Sequence, residues 1–220
     1  MKIGFGGHDF ILDPSGALLW PEKRMLIVAD LHLEKSSHFA RRGYFLPPYD
    51  SHETLTRLMS VLMETDTERL LILGDCFHDR SGYDRLSPQD YQIFDELRDY
   101  NPIWIRGNHD GDFVPPGMES HDIYMDSGIS FRHEPSGTAL EISGHLHPKA
   151  TIHYKGSLIS RPCFIRDTTK MIIPAFGSYT GGLDVLDKSI SQFFPGPTGI
   201  HLLGENKIYA IPMNLLAPVK

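Results

Sequence analysis

Five short segments of the chain carry residue types that bind divalent metals: Asp30-Leu31-His32, Gly74-Asp75, Gly107-Asn108-His109-Asp110, His133, and Gly144-His145-Leu146-His147. Carboxylate, amide and imidazole donors with no thiolate suit Mn, Fe, Zn or Co better than Ca or Mg. An Asp or His at the end of one strand is usually a cap or a turn residue. Five such segments in one chain, two of them with paired donors, point instead to a site for two ions. Two ions about 3.5–4 Å apart can share a water, lower its pKa and clamp a phosphoryl group. The expected chemistry is phosphate-ester hydrolysis.

The spacing suggests how the donors divide. Asp30 and His32 are two residues apart, as are His145 and His147. On an extended strand end, residues i and i+2 face the same side, so each pair can enter one pocket. Asp75 has two oxygens and can bridge. A workable distribution gives one ion Asp30, His32, Asp75 and His147, and the other Asp75, Asn108, His133 and His145. His109 follows Asn108 directly and is assigned to the substrate, where it protonates the leaving group or stabilises phosphoryl charge. Asp75, Asn108 and His109 are thus the catalytic candidates. Either Asp79 or Asp110 is expected to orient His109. The histidines at 8, 38, 52, 78, 121, 153 and 201 are read as surface or structural, with His78 the one among them closest to a role beside the metals or the substrate.

The elements that must hold these residues are legible in the apolar pattern. Continuous apolar runs at 25–29, 70–73 and 103–105 each stop at one of the polar clusters. Such runs suit strands buried on both faces, and ligand sites in open α/β sheets favour strand C-terminal ends. Strands at 5–12 and 17–20, joined by Asp13-Pro14-Ser15-Gly16, predict an opening hairpin with a type I turn. Between the buried strands, Asp50 is expected to cap a helix with Glu53 in a capping box and with Leu55, Leu58, Met59 and Leu62 as its apolar stripe. Ser87-Pro88 is expected to start another, with Tyr91, Phe94 and Leu97 inward. Short candidate strands at 123–125, 129–132, 139–143, 157–160, 171–175 and 207–211 predict a second, largely antiparallel sheet. Two sheets face to face with helices outside, in a single domain spanning 1–220, is the expected α/β architecture.

Composition excludes some classes. The 220 residues carry 21 Lys+Arg and 28 Asp+Glu, a formal net charge of −7 with His neutral. That balance argues against a protein coating duplex DNA through a broad basic face. It is compatible with a local nucleic-acid site, because two divalent ions add positive charge to one cleft. Cys76 and Cys163 do not suggest a disulfide framework or a zinc-binding pair. No signal peptide and no membrane-length apolar run is visible, so a cytoplasmic, membrane-free protein is expected.

The motifs resemble those of the calcineurin-like metallophosphoesterase superfamily, whose signature D-x-H, G-D, G-N-H-[DE], H, G-H-x-H is matched throughout. The resemblance implies a four-layer αββα sandwich of two mixed sheets with a dinuclear site at the sheet ends, and it agrees with the donor assignment above. Many relatives place an Asp three residues after the G-D aspartate, against the G-N-H histidine. Here that position is His78 and the Asp follows at Asp79. Flanking segments are similar to bacterial ligase-associated metallophosphoesterases: Ala29-Asp30-Leu31-His32-Leu33-Glu34-Lys35, Arg41-Arg42-Gly43, Pro47-Pro48-Tyr49-Asp50, Gly74-Asp75-Cys76-Phe77-His78-Asp79, Ser143-Gly144-His145-Leu146-His147-Pro148-Lys149 and Pro174-Ala175-Phe176-Gly177. That branch implies Mn-dependent phosphodiesterase or endonuclease activity on DNA in repair, alongside a helicase, an exonuclease-like protein and an ATP-dependent DNA ligase.

Three functions follow as expectations. The first is a nuclease acting on single strands, with Lys35, Arg41, Arg42 and Lys149, and more weakly Arg161 and Arg166, holding phosphates, and Tyr44, Phe45 and Tyr49 stacking bases. The alternative is a small-molecule phosphohydrolase of nucleotides, dinucleoside polyphosphates or phosphomonoesters, which the acidic balance favours slightly. The third is a silent binding scaffold, which loss of a metal donor or of His109 would signal; none is lost.

Overall fold

The computed structural model describes residues 1–138 and 140–217. Among them, seven strands form a first sheet in chain order: β1 (Lys2–Phe5), β2 (His8–Leu12), β3 (Leu18–Trp20), β4 (Met25–Val28), β5 (Arg69–Leu73), β6 (Ile103–Ile105) and β7 (Glu119–His121). β1 to β4 pair antiparallel. From β4 to β7 the pairing is parallel. The expected strand at 5–12 is divided. Gly6 and Gly7 adopt positive φ, 57° and 84°, and turn the chain so that Phe5 pairs with His8. The turn after β2 is as expected, with the Gly16 amide donating to the Asp13 carbonyl at 3.0 Å.

β4, β5 and β6 alternate between two apolar layers, as their unbroken apolar sequences require. Met25, Ile27, Leu71, Leu73, Ile103 and Ile105 face the second sheet. Leu26, Val28, Leu70, Ile72 and Trp104 face the helices. Those helices are α1 (Lys35–Ala40), α2 (Asp50–Glu64) and α3 (Pro88–Glu96). α2 lays Leu55, Leu58 and Leu62 on the sheet with Met59 beside them. Ser87 caps α3, its hydroxyl accepting from the Asp90 amide. Phe94 and Leu97 are buried, but Tyr91 is exposed, contrary to its inward assignment. Its hydroxyl bonds Tyr83, a contact that keeps the ring at the rim.

Asp50 also departs from expectation. It lies inside α2, and the preceding residue makes no side-chain cap. Its carboxylate instead accepts from the amide (3.0 Å) and hydroxyl (2.5 Å) of Ser36, in the first turn of α1. The capping residue of one helix is therefore supplied by the next, and it fixes α1, a helix the periodicity did not reveal.

The second sheet contains β8 (Ile123–Asp126), β9 (Ile129–Arg132), β10 (Glu141–Ser143), β11 (Lys149–Tyr154), β12 (Ser157–Arg166), β13 (Lys170–Ile172), β14 (Gly199–Leu203) and β15 (Ile208–Ile211). Its order is β15-β14-β12-β13-β10-β9-β8, with β11 on β12. β10 runs parallel to both β9 and β13, so the sheet is mixed. Ala139, in the strand expected at 139–143, lies outside the described residues. The strands β7, β11 and β14 were not anticipated: β7 has only three residues and Gly199 and His201 interrupt the apolar run of β14, while β11 alternates polar and apolar residues. Trp20, Phe10 and Phe131 meet between the sheets, with centroid spacings of 5.0 and 5.8 Å; truncating a buried aromatic to Ala typically costs about 3–5 kcal/mol. The outer face of the second sheet is covered by Val185, Phe194 and the short α4 (Lys188–Ser191) through Ile190. The result is two mixed sheets with helices outside. No helix of the described residues is long and apolar enough to cross a membrane.

Candidate metal centre

All five sequence segments converge at the C-terminal ends of β4, β5, β6, β9 and β10. The residues do not sit on extended strand ends, however. Asp30, His32, Asp75, His145 and His147 all take positive φ, between 44° and 70°. The pairs point inward because left-handed residues alternate with ordinary ones, not because a pleat continues. Asp and His are among the non-glycine residues that tolerate this region best. The strain is of order 1 kcal/mol or more per residue, and backbone hydrogen bonds on both sides offset it. The amides of Asp30, His32 and Leu33 donate to the carbonyls of Gly74, Asp75 and Cys76, at 3.2, 2.9 and 2.8 Å. On the other flank the Phe176 and Gly177 amides donate to Ala29 and Asp30.

The donors form two clusters. Asp30, His32 and His147 bring ligand atoms together, as do Asp75, His133 and His145. In the first, His147 Nε2 lies 3.4 Å from Asp30 Oδ1 and 3.4 Å from His32 Nε2. In the second, His133 Nε2 lies 3.0 Å from His145 Nδ1, 3.0 Å from Asn108 Oδ1 and 3.4 Å from Asp75 Oδ2. Asp75 joins them through one oxygen. Its Oδ1 accepts from the His109 amide at 2.8 Å, which leaves Oδ2 facing His133 and, at 3.8 Å, His32 Nε2.

Three features fit a pair of divalent cations. Asp30 Oδ1 is buried with no hydrogen-bond donor, while Oδ2 is satisfied by the His145 amide at 2.9 Å. A buried, unpaired carboxylate oxygen is costly unless a cation completes it. The His133 and His145 nitrogens, and those of His32 and His147, face each other across short gaps where a bound cation would take a lone pair from each deprotonated ring. Finally, the outer nitrogens of His133 and His32 are already engaged. His133 Nδ1 donates to the Leu73 carbonyl at 2.9 Å, turning Nε2 inward, and His32 Nδ1 faces His78 Nδ1 at 3.4 Å. Such outer contacts set the tautomer of a ligating imidazole.

The local field agrees. Burial opposes ionisation of Asp75, yet the His133 contact, the His109 amide and His32 hold it down at about 2. Burial also opposes charging of His133, but Asp75 and Asp30 push it up to about 9. His32 falls to about 2, mainly through burial, with the neighbouring imidazoles adding to it. Burial, with Lys35 and two imidazoles adding, lowers His78 to about 4. A neutral His78 ring can accept from His32.

Tight backbone packing explains the motif glycine before Asn108. A Cβ on Gly107 would overlap the amide and carboxylate of Asp75.

His109 is not oriented by a carboxylate. Its Nδ1 faces the His78 backbone carbonyl at 2.8 Å, and Nε2 points to the cleft, 4.0 Å from Asp75 Oδ2. Asp79 is turned away, held by Arg85 at 2.8 Å and His38 at 2.5 Å. Asp110 is buried beneath the loop, accepting from the Gly107 and Phe77 amides; burial raises it to about 6. Neither expected partner is used, because a backbone carbonyl sits in the position a carboxylate would fill.

The donor-lined cleft, about 420 Å³, includes His32, Asp75, Asn108, His109, His145 and His147 in its wall, with Lys35 and His78 beside them. His38, read as structural, lines an adjoining pocket together with Arg42 and with Arg80, which sequence reasoning missed. Lys149 lies along Gly182 in the cleft wall. Arg161 and Arg166 open onto other surfaces. Tyr44, Phe45 and Tyr49 are 68%, 87% and 65% exposed, so they are not core residues.

A family model described as calcineurin-like phosphoesterase matches residues 23–165. The structure is similar to that of nuclease MPE from Pseudomonas putida, with a TM-score of 0.74 and 26% sequence identity over 96% of this chain and 99% of that one. Looser similarity extends to YfcE, a phosphoesterase from E. coli, with a TM-score of 0.39 and 13% identity over 86% and 93% of the two chains. Vacuolar protein sorting 29 from Cryptosporidium parvum is matched with a TM-score of 0.35 and 14% identity over 85% and 94%. No curated protein matches the sequence.

Proposed function

The chain belongs to the calcineurin-like phosphoesterase family, and from that premise we propose that it is a Mn-dependent phosphodiesterase that cuts single-stranded DNA. Asp30, His32, Asp75 and His147 would hold one ion, and Asp75, Asn108, His133 and His145 the other. Two bound divalent ions supply Lewis acidity toward phosphoryl oxygens and a nucleophilic water at neutral pH. The observation that carries the reading is Asp75 Oδ2, which faces both donor clusters, beside the orphaned Asp30 Oδ1.

The remaining chemistry belongs to the protein's own groups. Water adds to phosphorus and gives its proton to solvent. The bond to the leaving oxygen breaks with its electron pair. His109, with Nδ1 donating to the His78 carbonyl, presents Nε2 to the cleft, and the protonated ring delivers its Nε2 proton to the leaving oxygen and is reprotonated from solvent. Asn108 anchors its side-chain oxygen against His133. Lys35, half-buried in the cleft wall, offers a cation to a non-bridging phosphate oxygen.

A nucleic-acid substrate is supported by similarity to a nuclease along nearly the whole of both chains. The exposed Tyr44, Phe45 and Tyr49 beside α1 supply stacking surface of the kind single strands use. The ligase-associated branch, a repair role and functional association with a ligase, helicase and exonuclease-like protein rest on the flanking motifs. The net charge of −7 favours the second reading, hydrolysis of small phosphate esters. Closed-circular single-stranded DNA separates the two. With Mn, a nuclease linearises the circle; an enzyme of small esters leaves it closed while turning over aryl phosphates.

A further inference from the structure

We propose that the pocket beyond His109 seats the leaving-side nucleotide, with Arg42 and Arg80 gripping the next phosphate of that strand. This rests on the nuclease reading above. The pocket measures about 400 Å³ and shares His78, Asn108 and His109 with the donor-lined cleft. Apart from Asn108, none of the candidate metal donors enters its wall. The two spaces therefore adjoin, with His78, Asn108 and His109 forming the wall they share. In-line displacement puts the attacking and leaving oxygens on opposite sides of phosphorus. If His109 protonates the leaving oxygen, the leaving strand continues past it into this pocket.

The charges suit a phosphate. Among the described residues, neither Arg42 nor Arg80 makes an ion pair or a side-chain hydrogen bond, and both are exposed at the rim. The one carboxylate in the wall, Asp79, is already compensated by Arg85 and His38. Two guanidinium groups are thus left uncommitted, and their fork geometry matches phosphate oxygens. The Phe39 ring lies nearly parallel to His78, 28° apart with centroids at 5.6 Å. It gives a sugar or base an apolar wall beside the two cations.

The test uses four substrates with Mn: bis-aryl phosphodiester and the dinucleotides TpT, pTpT and TpTp, the last two carrying one further phosphate on either side of a single diester bond. In the unaltered protein one of the two phosphorylated dinucleotides should be cut with kcat/KM about tenfold or more above TpT, as expected for a charge-assisted phosphate contact. The double variant Arg42→Ala/Arg80→Ala should erase that advantage and stay within about twofold on the bis-aryl ester. Equal rates on all three dinucleotides, an advantage that survives the double variant, or a parallel loss on every substrate would each overturn the subsite. Turnover of the aryl ester with none of any dinucleotide or single-stranded circle would instead sink the nuclease reading.

Discussion

Replacing His109 with Ala separates proton transfer from metal binding, because the structure divides the two between side chain and backbone. The contact that orients Asp75 is the His109 amide, 2.8 Å from Oδ1, and it survives truncation. Metal content should therefore stay at two equivalents. The side chain is 38% exposed, so folding should change by less than about 1 kcal/mol. What is lost is the acid at Nε2. General acid catalysis contributes roughly 10²- to 10⁴-fold, or about 3–5 kcal/mol at about 1.4 kcal/mol per decade. An alkoxide leaving from deoxyribose needs that proton; a nitrophenolate does not. The expected outcome is a 10²- to 10⁴-fold fall in kcat on a DNA diester and less than about tenfold on bis-nitrophenyl phosphate. Metal analysis and kinetics on both substrates decide it. An equal fall on both, with metals retained, would refute leaving-group protonation. Loss of the metals would refute the division of roles.

Asp75→Ala removes the one oxygen shared by both clusters, so turnover and uptake of both ions should disappear together, read by metal analysis and by the Mn-induced shift in Tm. That shift should reach roughly 5–10 °C in the unaltered chain at 100 times Kd, from about 2.7 kcal/mol of linkage, and should vanish in the variant. Asp50→Ala removes the cap that α2 lends to α1; stability should fall by about 1–2 kcal/mol in denaturant titrations, with a raised KM because α1 carries Lys35. Asp79 is held well below the usual carboxylate range: burial opposes this, and Arg85, His38 and Ser81 outweigh it. Its contribution is present above the unfolded pKa and is lost as pH falls through the lower folded value, so Asp79→Asn should flatten the acid side of a Tm-against-pH profile and leave the alkaline side unchanged.

Particular residues show where sequence reasoning succeeded. The apolar strands β4, β5 and β6 were legible because burial on both faces forbids polar residues. The donors stood out because three such runs stop at Asp, Asn and His clusters, and two further segments add His133, His145 and His147. Of the strands absent from that reading, β7 is three residues long and His201 breaks the apolar run of β14, while β11 carries a legible alternation of polar and apolar residues. α1 was invisible, since its stability comes from Asp50, a residue on another helix.

The amino-acid order alone identified the side chains suited to bind cations, placed them after buried strands, and singled out His109 as the candidate for leaving-group protonation or phosphoryl charge stabilisation. It could do so because ligand types and strand burial are written in local composition. Only the tertiary structure decided how they converge: left-handed backbone at five donors, one Asp75 oxygen between two clusters, and the His78 carbonyl behind His109 in place of Asp79 or Asp110. Those arrangements depend on distances between segments far apart in the chain, which packing sets and spacing along the polypeptide does not encode.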